Sequence, residues 1–203
     1  MPKVKIKRKS TVTDMTAMCD VAFLLLTYFI LSATARQPEV LPVDIPSSTV
    51  TVKIPDTDIA MLTVGQGKIF FGMVGQDIRA NTLNRMGELY GITFTPQEIK
   101  RFSTIESFGV PIANLKQYVM MENEERLKVK QPGIPTDSSE NAELKQWILQ
   151  ARYATKELHA VDLRFSIKGD SKEEYPTIRK VIAVLQDQNI NKFSLITSLE
   201  GDK

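Results

Sequence analysis

MTAMCDVAFLLLTYFILSATA, residues Met15–Ala35, is the stretch on which the reading of the whole chain turns. It is apolar over about twenty residues, the length an α-helix needs to cross a bilayer core of roughly 30 Å. One acidic side chain, Asp20, interrupts it. A carboxylate deep in a membrane helix costs about 2.5–3.5 kcal/mol on insertion scales. A simple anchor would carry leucine there. What usually retains such a residue is a proton path, an ion path or a buried partner.

The flanks give the orientation. Lys3, Lys5, Lys7, Arg8 and Lys9 precede the run, and Arg36 is the one basic residue close behind it. Positive charge stays on the cytoplasmic side. The N-terminus is therefore expected inside, and the chain after about residue 36 outside, which in a Gram-negative cell is the periplasm. The overall charge of +2 says little about partners. A cleaved signal peptide fits less well, because the apolar core is too long, carries Asp20 and is followed only by the weak site Ser32-Ala33-Thr34-Ala35. The basic cluster alone could suggest a nucleic-acid arm, but a span directly behind it makes topology the better account, and no nucleic-acid partner is expected. A buried core helix of a soluble protein fits this length poorly.

Placed on a helix at about 100° per residue, Thr16, Asp20, Thr27 and Thr34 fall within about 40° of one another. The polar groups thus form a stripe that includes the carboxylate. Threonines in membrane helices often only bond their own backbone carbonyls, which accounts for Thr16 and Thr27 individually but not for Asp20. Low dielectric disfavours a charged carboxylate relative to its protonated form, so such a group can load and release protons. One helix cannot shield Asp20 from lipid, and the chain shows no second span, so a membrane partner is implied.

The segment Asp14-Met15-Thr16-Ala17-Met18-Cys19-Asp20-Val21, with the apolar run behind it, resembles the ExbD/TolR family of biopolymer-transport proteins. The family pattern is roughly Asn/Asp-x-Thr-Pro-x-x-Asp-Val. Thr16, Asp20 and Val21 match, Asp14 matches in acidic form, and Ala17 stands where proline is usual. Val43-Asp44-Ile45-Pro46 is similar to the family's linker element. The resemblance implies a homodimer whose helices sit in an ExbB-like ring in the inner membrane. It also implies proton flow that energises a TonB-like transducer for transport across the outer membrane. Asp20 takes the place of the proton-carrying aspartate, with Thr16 and Thr27 supporting its path. A TolR-like envelope-integrity motor is the alternative, and a non-conducting membrane-anchored scaffold is another. The flagellar stator protein MotB shares the tail, span and aspartate, but its OmpA-like signature is not found here.

The expected fold class is α+β: a single N-terminal transmembrane helix, then a small periplasmic domain with helices packed on one face of a mixed β-sheet. Residues 1–14 are expected to form a basic cytoplasmic tail, 15–35 the span, 36–55 an extended linker and 56–203 the periplasmic domain. Pro38, Pro42, Pro46 and Pro55 favour an extended linker, expected to be mobile in isolation. Thr49–Ile54 reads as a strand. Ile59–Val64 and Lys68–Phe71, around Gly65-Gln66-Gly67, read as a hairpin. Val161–Ile167 is a strand, Lys168-Gly169-Asp170 a turn, a helix opens at Tyr175-Pro176, and Lys192–Thr197 closes the pattern as a strand.

Residues from about 76 to 157 form a helical elaboration of the same domain. Thr95-Pro96-Gln97-Glu98 is a capping box opening a helix to about Ser103. Ile112–Lys128 is a weaker helical pattern, and Gln131–Ser139 a loop. Ser139–Leu158 is an amphipathic helix with Leu144, Trp147, Ile148 and Ala151 on one face. The outer domain carries no phosphate loop, Cys/His cluster or nucleophile–base pair, so no enzyme activity, cofactor or metal is expected. Cys19, the single cysteine, lies in the span, which leaves the domain to fold without a disulfide. His159, the single histidine, reads as a solvated surface residue.

Overall fold

The computed structural model describes residues 15–32, 43–48, 57–136, 142–170, 175–196 and 198–199. The chain divides into two units, Met1–Pro38 and Glu39–Lys203. In the first, helix α1 (Met15–Ser32) has 18 residues, none of them buried. At 1.5 Å per residue it is about 27 Å long. Among the described residues it is the one helix long and apolar enough to cross a membrane. The basic tail and Thr34 lie outside the described residues.

The second unit is built on two sheets. Strands β1 (Ser47–Ser48), β2 (Ile59–Gly65) and β3 (Lys68–Met73) come first. Helices α2 (Gln76–Tyr90) and α3 (Pro96–Ser103) lead to β4 (Ser107–Phe108), followed by α4 (Ile112–Met120), α5 (Asn123–Lys128) and α6 (Glu143–His159). Then come β5 (Arg164–Gly169), α7 (Tyr175–Asp187), β6 (Phe193–Ile196) and β7 (Ser198–Leu199). The larger sheet runs β4-β3-β2-β5-β6. Its β4-β3 and β3-β2 pairs are antiparallel, and β2-β5 and β5-β6 are parallel. This is the expected α+β class with a mixed sheet. The strand expected at Thr49–Ile54 lies outside the described residues.

The hairpin forms where its turn chemistry placed it. Gln66 and Gly67 both have positive φ, 54° and 70°, as a two-residue loop matched to strand twist requires. Register then puts Ala60, Leu62 and Val64 beside Met73, Phe71 and Ile69 on one face. Phe165 and Ile167 of β5 extend that face. The core forms where these side chains meet Ile78, Leu83 and Met86 of α2, Phe102 of α3, and Val181 and Leu185 of α7. From α6 it takes Leu144, Trp147, Ile148 and Ala151, the face expected from the sequence. Trp147 is wholly buried. Its ring stacks on Phe102 at 6.1 Å and meets Phe108 edge-on at 4.8 Å. The 76–157 region therefore packs against the sheet through a shared aromatic cluster.

Polar side chains cap and link the helices. The Glu143 carboxylate accepts from the Ile112 N–H at 2.6 Å and from Trp147 Nε1 at 3.4 Å. Burial pushes this carboxyl up, against the pull of those two donors. At α3 the capping box is complete. Thr95 Oγ1 accepts from the Glu98 N–H, and the Glu98 carboxylate accepts from the Thr95 N–H at 2.7 Å. Thr95→Ala should cost about 1 kcal/mol, read as a lower denaturation midpoint with an unchanged denaturant slope.

Several elements differ from the sequence expectation. Helix α2 falls in the region expected to be helical but has no clear pattern of its own, because polar Arg79 and Thr82 occupy its buried face and interrupt the apolar stripe. Its close at Gly91 (φ 67°) brings the Ile92 N–H to the Gly87 carbonyl. A Cβ on Gly87 would lie 2.5 Å from the Ile92 oxygen, so this glycine inside the helix permits the reversal. The 112–128 pattern is two helices, because Met121 is extended and Arg101 Nη1 takes the Met120 carbonyl at 2.9 Å. β5 starts at Arg164, not Val161, after α6 closes on the left-handed Ala160. Lys168 and Gly169 are still in the ladder, paired with Thr63 and Val64, so the turn begins later than expected.

Candidate functional site

The α1 backbone is helical from Met15 onward, so Thr16, Asp20 and Thr27 follow helical spacing on one face. Thr16 lies one turn before Asp20. Thr27 lies seven residues after it, about 10 Å along the axis. A link from Asp20 to Thr27 therefore needs a third group between them. Thr27 Oγ1 donates to the Leu24 carbonyl at 2.9 Å, the backbone bond common for threonine in such helices. Its proton is committed, but the oxygen can still accept. Asp20 is exposed on the helix surface.

The linker motif has a regular exposure pattern. Val43 and Ile45 are half-buried, while Asp44 and Pro46 are exposed. Directly after it, Ser47 and Ser48 pair in parallel with Ser198 and Leu199. Two of the linker residues expected to be mobile are thus placed in a ladder with the far end of the chain. Nothing in the local sequence marks this, because the pairing spans about 150 residues and each strand has only two.

His159 is an exposed surface residue, as the sequence reading has it, but it lies between two carboxylates. Its Nδ1 meets the Asp58 carboxylate, and its Nε2 lies 2.8 Å from Asp77 Oδ2. The three side chains come from the residue just before β2, the first turn of α2 and the last residue of α6. Sequence separations of 101 and 82 residues hid the cluster. Among the described residues, no group of three or more His, Cys, Asp or Glu side chains could hold a metal ion.

The family model for biopolymer transport protein ExbD/TolR matches residues 7–200, nearly the whole chain. The match includes the span, the linker motif, the mixed sheet and the 76–157 region. No curated protein and no solved structure matches significantly. Family and span together describe a membrane-associated subunit with motor partners in the membrane, carrying one span-length helix among its described residues. With its Asp20-bearing span and α+β domain, the chain belongs to the ExbD/TolR family of biopolymer-transport, energy-transducing subunits.

Proposed function

We propose that this protein is the proton-carrying subunit of an ExbB–ExbD-type inner-membrane motor that energises TonB-dependent transport across the outer membrane. Asp20 is the observation that carries the reading. A carboxylate in a lone span is costly unless a surrounding assembly shields it. α1 has no buried residue of its own, so that shielding comes from other helices: a second copy of this chain and an ExbB-like ring. Asp20 loads a proton from the outer side and releases it inward. Thr16 and Thr27 line its face, and the hydroxyl oxygens bridge to water or to partner groups. Residues 1–14 stay in the cytoplasm, 15–35 span, and 36–55, with Val43, Asp44, Ile45 and Pro46, link the span to the periplasmic domain of 56–203. The domain transmits motor movement to a TonB-like transducer.

Complementation tests the choice of transducer. Cells lacking their own ExbD-type subunit should regain receptor-dependent uptake when this chain is expressed with its ring partner. Cells lacking the TolR-type subunit should keep their envelope defect. The reverse result would assign the chain to the envelope-integrity motor.

A further inference from the structure

We propose that Asp58, His159 and Asp77 form a proton-dependent clasp that ties α2 and α6 to the start of β2 in the outer domain. Donor counting sets the protonation state of the clasp. An ionised carboxylate only accepts hydrogen bonds, and a neutral imidazole has one N–H. Both ring nitrogens of His159 face carboxylate oxygens. With both carboxylates ionised, the two contacts hold together only when His159 is an imidazolium. Loss of one proton leaves a nitrogen lone pair facing a carboxylate, and one of the two links opens.

The backbone fixes both carboxylates in place. Asp58 sits in the left-handed region at φ 57°, and its carbonyl accepts from the Arg164 N–H at 3.0 Å. Asp77 lies in the first turn of α2. Most neighbouring charges have other partners. Glu157 pairs with Arg85, Lys156 lies 4.0 Å from Asp162, and Arg79 bonds the Gly75 and Ile105 carbonyls while its charge also acts on Asp77. The groups acting on the imidazole are Asp58 and Asp77, whose hydrogen bonds raise its proton affinity, Asp58 the more strongly. For Asp77, partial burial pushes the carboxyl up, but the bonds with His159 and with backbone N–H groups outweigh it and hold it low.

The sign follows from linkage. A raised histidine contributes stability that is complete below its ordinary value of about 6.5 and is lost as pH rises through the raised midpoint. A lowered aspartate contributes above its ordinary range and loses that contribution as pH falls through its lowered one. The clasp is therefore closed between the acid range of Asp77 and the raised midpoint of His159. Above that midpoint one of the two links from α6, to Asp58 or to Asp77, opens, while the helices stay packed through the core. The stiffness of the outer domain then depends on the acidity of the compartment it occupies. The clasp is independent of Asp20 and of the choice of transducer.

His159 is the single histidine of the chain, so ring ¹⁵N resonances of the full chain in lipid nanodiscs report on it alone. The midpoint should lie above about 6.5, and Asp58→Asn and Asp77→Asn should each lower it. Hydrogen-exchange protection at residues 76–79 and 156–160, corrected for intrinsic exchange, should fall as pH passes the midpoint. The fall should be at most about fivefold, because the three side chains are partly exposed and water screens the pairing. His159→Gln should abolish this pH dependence. A wild-type midpoint at or below the ordinary value would overturn the clasp, as would a pH-dependent loss of protection that survives in His159→Gln.

Discussion

Asp20→Asn is expected to reduce proton-driven uptake to background while leaving membrane level and ring assembly normal. Asparagine keeps the size and hydrogen-bonding ability of the side chain but does not titrate. The insertion penalty for the carboxylate, about 2.5–3.5 kcal/mol, is reduced by the change, so the variant should insert at least as well as the parent. What disappears is the work available from each proton, about 2.3 kcal/mol per 100 mV of membrane potential. Asp20→Glu keeps the proton and moves it by one methylene, so partial uptake is the expected result. Membrane level, co-purification with the ring partner and uptake must be measured together. Full uptake by Asp20→Asn with normal assembly would make Asp20 a structural polar group, and the non-conducting scaffold would replace the motor.

Trp147→Ala is expected to produce the largest loss of stability in the outer domain. The side chain is fully buried and touches both Phe102 and Phe108. Truncation of a buried aromatic costs about 3–5 kcal/mol through lost burial and the cavity left behind. For a domain of this size, that corresponds to a fall in melting temperature of roughly 10–15 °C. The shape of the transition matters as much as its midpoint. Phe102 and Trp147 belong to the 76–157 region, whereas Phe71, which meets Phe108 edge-on, belongs to the central hairpin. A region that shares the core should unfold with the sheet in one step. Two separate transitions, with only one shifted by Trp147→Ala, would show the region to be an independent domain.

The sequence by itself determined the elements whose signals are local. The span follows from an apolar run of membrane length, and Asp20 stands out because a charge there costs so much. The Gln66-Gly67 turn, the Thr95–Glu98 capping box and the Leu144–Ala151 stripe each rely on contacts within a few residues. All three formed where expected. Resemblance to the family rested on the same span and motif.

Tertiary structure decided whatever depended on distant partners. α2 has a weak apolar stripe because Arg79 is buried against the Gly75 and Ile105 carbonyls, a fit that exists only once β4 and the segment before it are in place. The split at Met121 follows from Arg101 reaching across to the Met120 carbonyl. The two-residue ladder between Ser47–Ser48 and Ser198–Leu199 carries too few side chains for any periodic pattern. His159 looked bland because its two carboxylate partners approach it only after β2, α2 and α6 pack together. Local propensity and hydrophobic period are written along the chain. Polar contacts between distant residues are created by packing, and that packing placed an exposed histidine between two carboxylates.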